Sequence, residues 1–242
     1  MSPRFSRSLP PRLAALAAAV DRGSRVADVG SDHGLLPLQL AASRRAVFCL
    51  ATEKTEALAA RIARPPAGAS WAHRLRYRGG DGLAALRPED AVDTVVIAGV
   101  GAATIVAILA ALPRLRPSPA RLVLQPRTDE AALRRWLSAH RWVLVSERLT
   151  EDRGRVYVTL AAERGADGAL YRHPTLSRAD LLAAGPLLVR ARTAAMVRYW
   201  RAQRHRLAAI ADSDASGAQA ARARTALARA RRILAAISKR GG

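Results

Sequence analysis

The chain predicts an α/β fold: a doubly wound parallel sheet with one antiparallel strand, followed by an α-helical coiled-coil hairpin. Three observations carry this. From Arg25 to Pro37 an apolar run enters a polar turn with two glycines and then opens a helix. Up to about residue 165, apolar strand-like runs alternate with helical patterns, the signature of a parallel sheet covered on both faces. Beyond Asp167 the strands stop and apolar residues recur at alternating four- and three-residue steps.

The elements follow in order. Arg25 to Val29 is a buried strand, Gly30 lets the chain turn, and Leu35 to Ser43 is a helix. Such a turn can present backbone N–H groups to a cofactor. Ala46 to Thr52 is a second strand ending at Glu53, and Thr55 to Ala63 is helical until Pro65-Pro66 breaks it. Leu75 to Arg78 is a third strand, closing at Gly79-Gly80-Asp81-Gly82. Ala91 to Ala98 is a fourth, opening onto Gly99-Val100-Gly101 and a helix through Leu109. After a proline-rich loop, Arg121 to Gln125 is a fifth strand, and Asp129 caps a helix to Ala139. Trp142 to Glu147 and Arg155 to Ala162 are the final strands, joined through Asp152-Arg153-Gly154, so one of them runs antiparallel.

The sequence therefore divides into a domain over 1–165 and a helical hairpin over 166–242. In the hairpin, Met196, Trp200, Gln203, Leu207 and Ile210 form one seam, and Ala220, Ala223, Leu227, Ala230, Leu234 and Ile237 the other. This is coiled-coil spacing, with Asp212 to Gly217 as the turn. Arg204, Arg206, Arg222, Arg224, Arg229, Arg231 and Arg232 avoid the seam and are expected to stay exposed. Trp200 is either seam core or a platform for a stacked base.

Charge points to a polyanionic partner. Forty basic residues oppose 19 acidic ones, a net +21. A GC-rich genome explains arginine in place of lysine but not that excess, whereas phosphate neutralisation does. Residues 171–242 alone hold 14 arginines and one lysine against three aspartates. Cys49 is the single cysteine, which excludes an intrachain disulfide and a cysteine-based zinc site. Arg4 to Val20 superficially resembles a secretion signal, but the first strand starts too soon after it. A short amphipathic helix across the sheet edge is the better reading. No run reaches membrane-spanning length. A soluble, cytoplasmic protein without metal or membrane is expected, a monomer before a stable oligomer.

The candidate site lies where the parallel strands end. Glu53, 23 residues beyond Gly30, stands near the distance expected of a ribose-binding carboxylate, and Asp81 before Gly82 can accept an adenine amino group. The turn itself is Gly30-Ser-Asp-His-Gly34, whose acid would repel a pyrophosphate. A cationic sulfonium tolerates that acid, so S-adenosylmethionine suits this turn better than a dinucleotide does.

Asp28-Val-Gly-Ser-Asp-His-Gly-Leu-Leu-Pro37, Ala51-Thr-Glu-Lys54, Gly80-Asp-Gly-Leu83, Ile97-Ala-Gly-Val-Gly101 and Leu122-Val-Leu-Gln-Pro126 occur in one order and spacing, with Glu151-Asp152 and Tyr157 beyond them. In these blocks the chain resembles the TrmK family, and the likeness spans nearly its whole length. The resemblance implies a Rossmann-like class I methyltransferase sheet that uses S-adenosylmethionine to methylate N1 of adenine 22 in tRNA. It also implies a C-terminal coiled coil that helps hold the tRNA. Cofactor contacts then fall to Asp28, Gly30, Ser31, Gly34, Glu53, Lys54, Asp81, Gly82, Ala98, Gly99 and Val100. Substrate contacts fall to Leu35, Gln125, Pro126 and Arg127, with a purely structural role the alternative for Gln125 and Pro126, and on the hairpin to Arg204 and Arg222. Leu35 stands where the family commonly has an aromatic, Val100 where it has Met, Ala102 where it has Gly and Arg127 where Asn is frequent.

Adenine N1 carries a free lone pair, so in-line attack on a sulfonium methyl needs no prior deprotonation. A carboxylate that accepts from N6 and faces the growing positive charge lowers the barrier. Asp32 is the catalytic candidate, with His33 orienting it or the cofactor carboxylate. Two plainer readings stand beside these: Asp32 as a helix N-cap and His33 as a structural histidine. The residues also leave open a methyltransferase for another RNA base or a small molecule, and a catalytically silent RNA-binding protein of the same fold.

Overall fold

The structure, a computed structural model, describes residues 8–212 and 217–238. It forms two compact units, Met1–Ala166 and Asp167–Gly242. The first is built on seven strands: β1 (Ser24–Val29), β2 (Ala46–Glu53), β3 (Leu75–Gly79), β4 (Thr94–Ala98), β5 (Arg121–Gln125), β6 (Trp142–Asp152) and β7 (Arg155–Arg164). Their order in the sheet is β3-β2-β1-β4-β5-β7-β6. Strands β1 to β5 pair in parallel, and β7 alone runs antiparallel to both of its neighbours. The single reversed strand matches expectation.

Burial explains why these runs are strands. Val26, Cys49, Leu75, Val96 and Val123 share one core cluster with Leu16 of α1 (Pro11–Ala19) and Leu36 and Leu40 of α2 (Leu35–Ala42). Alternate residues Leu50, Val95, Ile97, Leu122 and Leu124 are just as buried on the opposite face. A strand buried on both faces must be apolar at nearly every position. Helix α1 packs on β5, β6 and β7, towards the antiparallel edge. The hairpin closes through Arg153 and Gly154, both at positive φ (49° and 74°), the twist that suits a two-residue turn.

Two expectations change. The helix expected over Thr55 to Ala63 shrinks to α3 (Glu56–Ala59), capped by Thr55. Beyond it Ile62 turns inward beneath Gly34, where any Cβ would collide with its Cγ2. The strand expected from Ala91 begins at Thr94, because Ala91 at φ 45° caps the short turn Pro88–Asp90. Helices α4 (Ala102–Leu109) and α5 (Glu130–Ala139) lie where helices were expected, and the Asp129 carboxylate accepts the Ala132 N–H at 3.0 Å.

The second unit holds α6 (Arg178–Ala184), α7 (Pro186–Ala191), α8 (Ala194–Ala211) and α9 (Gly217–Ser238). Helix α9 packs against α8 and also against α6 and α7. The seam residues Ala220, Ala223, Leu227, Ala230, Leu234 and Ile237 are all buried, as are Met196 and Trp200. Most of the turn expected between the arms, residues 213–216, lies outside the described residues. Arg229 and Arg232 do not stay free: both pair with Asp180, whose side chain is 2% exposed, at 3.4 and 2.8 Å. Asp180 also closes a reciprocal cap with Ser177 at the start of α6. Burial raises its carboxyl pKa, but the bonds from Arg232 and Ser177 outweigh this and hold it below the ordinary carboxylate range.

Candidate active site

Parallel strands end on one edge, and that edge gathers Asp28 to Leu35, Glu53-Lys54, Asp81-Gly82, Ala98 to Val100 and Gln125 to Arg127. The turn after β1 is fastened to β2. Gly30 and Ser31 both donate their N–H to the Thr52 carbonyl, at 3.0 and 2.9 Å, and Asp32 donates its N–H to Glu53 Oε1 at 2.7 Å. Gly34 N–H returns to the Ser31 carbonyl at 2.9 Å. This corrects the expectation that the turn offers its N–H groups to a ligand: four of them are spent inside the protein. What it offers instead is room, for a Cβ built on Gly30 at φ +75° meets nothing within 4 Å.

Asp28 is buried beneath the turn. Desolvation pushes its carboxyl up to about 6, partly offset by the Ser31 hydroxyl at 2.7 Å and reinforced by the Glu53 charge. Asp32 and His33 are 80% and 84% exposed and lie 3.7 Å apart. The helix-cap reading of Asp32 falls, since α2 is capped by Gly34 and receives no side-chain cap bond. Leu35 is half-buried at the first position of α2. Lys54 and Asp81 are exposed, and no side chain among the described residues binds the Asp81 carboxylate.

Past β4 and β5 the backbone ladder continues. Gly99 N–H donates to the Gln125 carbonyl (3.3 Å), Arg127 N–H to Val100 (2.9 Å) and Ala102 N–H to Thr128 (3.2 Å). These zipped loops form one side of a cavity of about 500 Å³, lined by Gly99, Val100, Gly101, Thr104, Pro126, Arg127, Thr128, Arg155, Val156 and Tyr157. No acid lines it, and neither Arg127 nor Arg155 forms an ion pair among the described residues. A comparable cavity at the opposite edge, walled by Asp21, Asp93, Glu163 and Arg121, is occupied by its own ion pairs of Arg121 with Asp21 and Glu163.

Gln125 departs from its expected place. It is 1% exposed, and its side-chain amide donates to the Arg12 carbonyl at 3.0 Å and lies 2.8 Å from Thr159 Oγ1. The side chain holds α1 and β7, and only the backbone of Gln125 serves the cavity. Sequence reasoning missed Thr104, Thr128, Arg155 and Val156. The signal for the last two was the antiparallel strand itself, since β7 must begin where the parallel strands end. Asp32 and His33 do not line this cavity, and Arg204 and Arg222 lie on α8 and α9 in the second unit.

The family profile described as TrmK, tRNA (adenine(22)-N(1))-methyltransferase, matches residues 26–237. The chain belongs to the TrmK family. Among TrmK relatives, the tRNA (adenine(22)-N(1))-methyltransferase of Bacillus subtilis is 32% identical over 192 residues, 79% of each chain. The crystal structure of the B. subtilis TrmK enzyme covers 94% of this chain and 99% of its own, with 26% identity and a TM-score of 0.80. A Streptococcus pneumoniae protein crystallised with S-adenosyl-L-methionine covers 94% and 100%, with 27% identity and a TM-score of 0.79.

A pyrophosphate would meet a turn with four of its N–H groups spent and a carboxylate beneath it. A cation would meet Asp28, an acid held uncomfortably in a dry site, and would favour its ionised form. The edge fits a cofactor that carries positive charge, as S-adenosylmethionine does on its ammonium and sulfonium.

Burying ionised Asp28 has a cost that pH reveals. The unfolded carboxyl titrates near 3.8 and the folded one near 6, so stability falls as pH rises through that window. Above pH 6 the full cost, about 3 kcal/mol, stands. Asp28→Asn is expected to melt several degrees above the parent at pH 8, and at nearly the same temperature at pH 3.5. A variant melting at or below the parent at pH 8 contradicts this.

Proposed function

We propose that this chain transfers the methyl group of S-adenosylmethionine to N1 of adenine 22 in tRNA, as a monomer in the cytoplasm and without a metal. The observation that carries it is the family match across residues 26–237, which takes in the whole carboxyl edge and both basic helices. No cluster of three or more His, Cys, Asp or Glu that could hold a metal occurs among the described residues. No helix among them is long and apolar enough to cross a membrane.

When bound, S-adenosylmethionine supplies a sulfonium-activated methyl group. In this reading Asp28, Gly30, Ser31 and Gly34 hold its amino-acid end, and Glu53 and Lys54 its ribose. Glu53 accepts the Asp32 N–H at 2.7 Å on Oε1 and the Lys54 N–H at 3.3 Å on Oε2, and each oxygen keeps a lone pair for a hydroxyl. Asp81 and Gly82 meet the adenine ring of the cofactor, and Ala98, Gly99 and Val100 pass beneath it.

The substrate adenine enters the cavity between the two zipped loops and the start of β7. Its N1 lone pair needs no base to free it, so no proton must leave before transfer. A negative charge facing the developing cation is what helps, and Asp32 supplies it, with His33 as orienting partner. Both are exposed enough for an incoming base to reach, and β1 and β4 are neighbours, so their turns are too. Leu35, Pro126 and Tyr157 offer apolar surface to the ring. Arg127 and Arg155, which form no ion pair among the described residues, suit the flanking phosphates.

Drawing a base out of its stack costs a few kcal/mol. Backbone contacts made elsewhere can offset that, and the helical unit is supplied for it. Arg222, Arg224 and Arg231 on α9 form no ion pair among the described residues, and Arg204 on α8 reaches only His205.

Unmodified tRNA transcripts incubated with enzyme and cofactor are expected to acquire a reverse-transcription stop at adenine 22, and none when guanine replaces it. Methyl incorporation that ignores this replacement contradicts the assignment. Arg127→Ala and Arg155→Ala are each expected to flatten the plot of log tRNA affinity against log salt by about 0.7–0.9, one phosphate apiece. An unchanged slope removes that residue from the backbone contacts.

A further inference from the structure

The cavity has two walls from distant parts of the chain, Pro126 to Thr128 after β5 and Arg155 to Tyr157 at the start of β7. The β5–β7 ladder joins them as far as Leu124 and Leu160, and beyond that pair side-chain contacts must hold the two walls apart. The first wall continues from Gln125, whose amide donates to the Arg12 carbonyl at 3.0 Å. The second continues from the turn closed by Asp152, which pairs with Arg155 across the hairpin. Asp152 is only 7% exposed, and its Oδ2 lies 3.6 Å from Arg12 Nε. Gln125 also reaches Thr159 of β7 at 2.8 Å, so the three groups form one chain of contacts. Every link involves Arg12 or a residue it holds.

We infer that Arg12 of α1 is a positioning residue, which sets the width of the substrate cavity by holding Gln125 through its carbonyl and Asp152 through its guanidinium. Several features favour this over a purely stabilising role. The ion pair is long and its arginine is 37% exposed, so solvent screens its attraction, although its loss leaves the 7%-exposed Asp152 carboxylate without that partner. Helix α1 is anchored independently by Leu16 and by Val20 just past its end, both fully buried. Yet the pair lies at the carboxyl edge, one hairpin turn from Arg155. Misplacing a wall by an ångström is enough to cost about a hundredfold in rate when geometry governs the reaction.

The inference rests on the reading that this cavity takes the target base. Its test uses the full chain and Arg12→Ala, Arg12→Lys, Asp152→Asn and the double variant Arg12→Ala/Asp152→Asn. Three quantities are measured for each: S-adenosylmethionine affinity by calorimetry, tRNA affinity, and the single-turnover rate of methyl transfer. Arg12→Ala is expected to keep cofactor affinity within about twofold, because the cofactor turn is fastened to β2 and not to α1. Its single-turnover rate should fall by about ten- to a hundredfold. Arg12→Lys should recover part of the rate. The double variant should be no slower than the worse single variant, since both remove one link. An undiminished rate in Arg12→Ala overturns the inference. So does a parallel fall of all three quantities with the melting temperature, or losses that multiply in the double variant. A parent enzyme that methylates no tRNA removes the functional reading and this inference together, whereas an active parent with a fast Arg12→Ala removes the inference alone.

Discussion

The turn after β1 is tied to β2 through its own backbone, and the rest of the carboxyl edge depends on that tie. Gly30 and Ser31 share the Thr52 carbonyl, and Asp32 takes a Glu53 oxygen. With four of its N–H groups spent, the turn offers a phosphate fewer donors than its glycines suggest. With Asp28 shut beneath it, the same turn carries a buried acid whose ionisation the dry surroundings resist. A positive ligand relieves that resistance and a negative one adds to it. Cofactor choice is thus written in where the backbone hydrogen bonds go, not in the glycine count of the motif.

Charge outside the edge follows a second division. Some arginines are structural and already satisfied: Arg78 on Asp90, Arg134 on Glu147 and Arg232 on Asp180. Others, Arg127 and Arg155 at the cavity and Arg222, Arg224 and Arg231 on α9, have no acid to answer them among the described residues. The second group belongs to the +21 excess that no acid neutralises among the described residues.

Much of this was legible in the sequence, because strands buried on both faces must be apolar throughout and because glycine and proline mark the turns. The five carboxyl-edge segments and the reversed strand were readable for that reason. What escaped depends on long-range partners. Gln125 reads like a site residue, being a polar side chain at a strand end, and only the approach of Arg12, 113 positions away, turns it inward. Arg229 and Arg232 follow exposed-face spacing, and only Asp180 on α6 claims them. Helices α6 and α7 are short and broken by Gly185-Pro186 and by Arg192 at φ 46°, so neither holds a period long enough to detect. Thr104 and Thr128 come together only through the zipped loops.

The central claim is that buried Asp28 tunes this edge for a cation. Calorimetry of S-adenosylmethionine binding at pH 6, in two buffers of different ionisation enthalpy, counts the protons exchanged. With the folded carboxyl half-titrated near that pH, the parent should release about half a proton on binding, and Asp28→Asn essentially none. Equal proton counts for the two proteins would contradict the account.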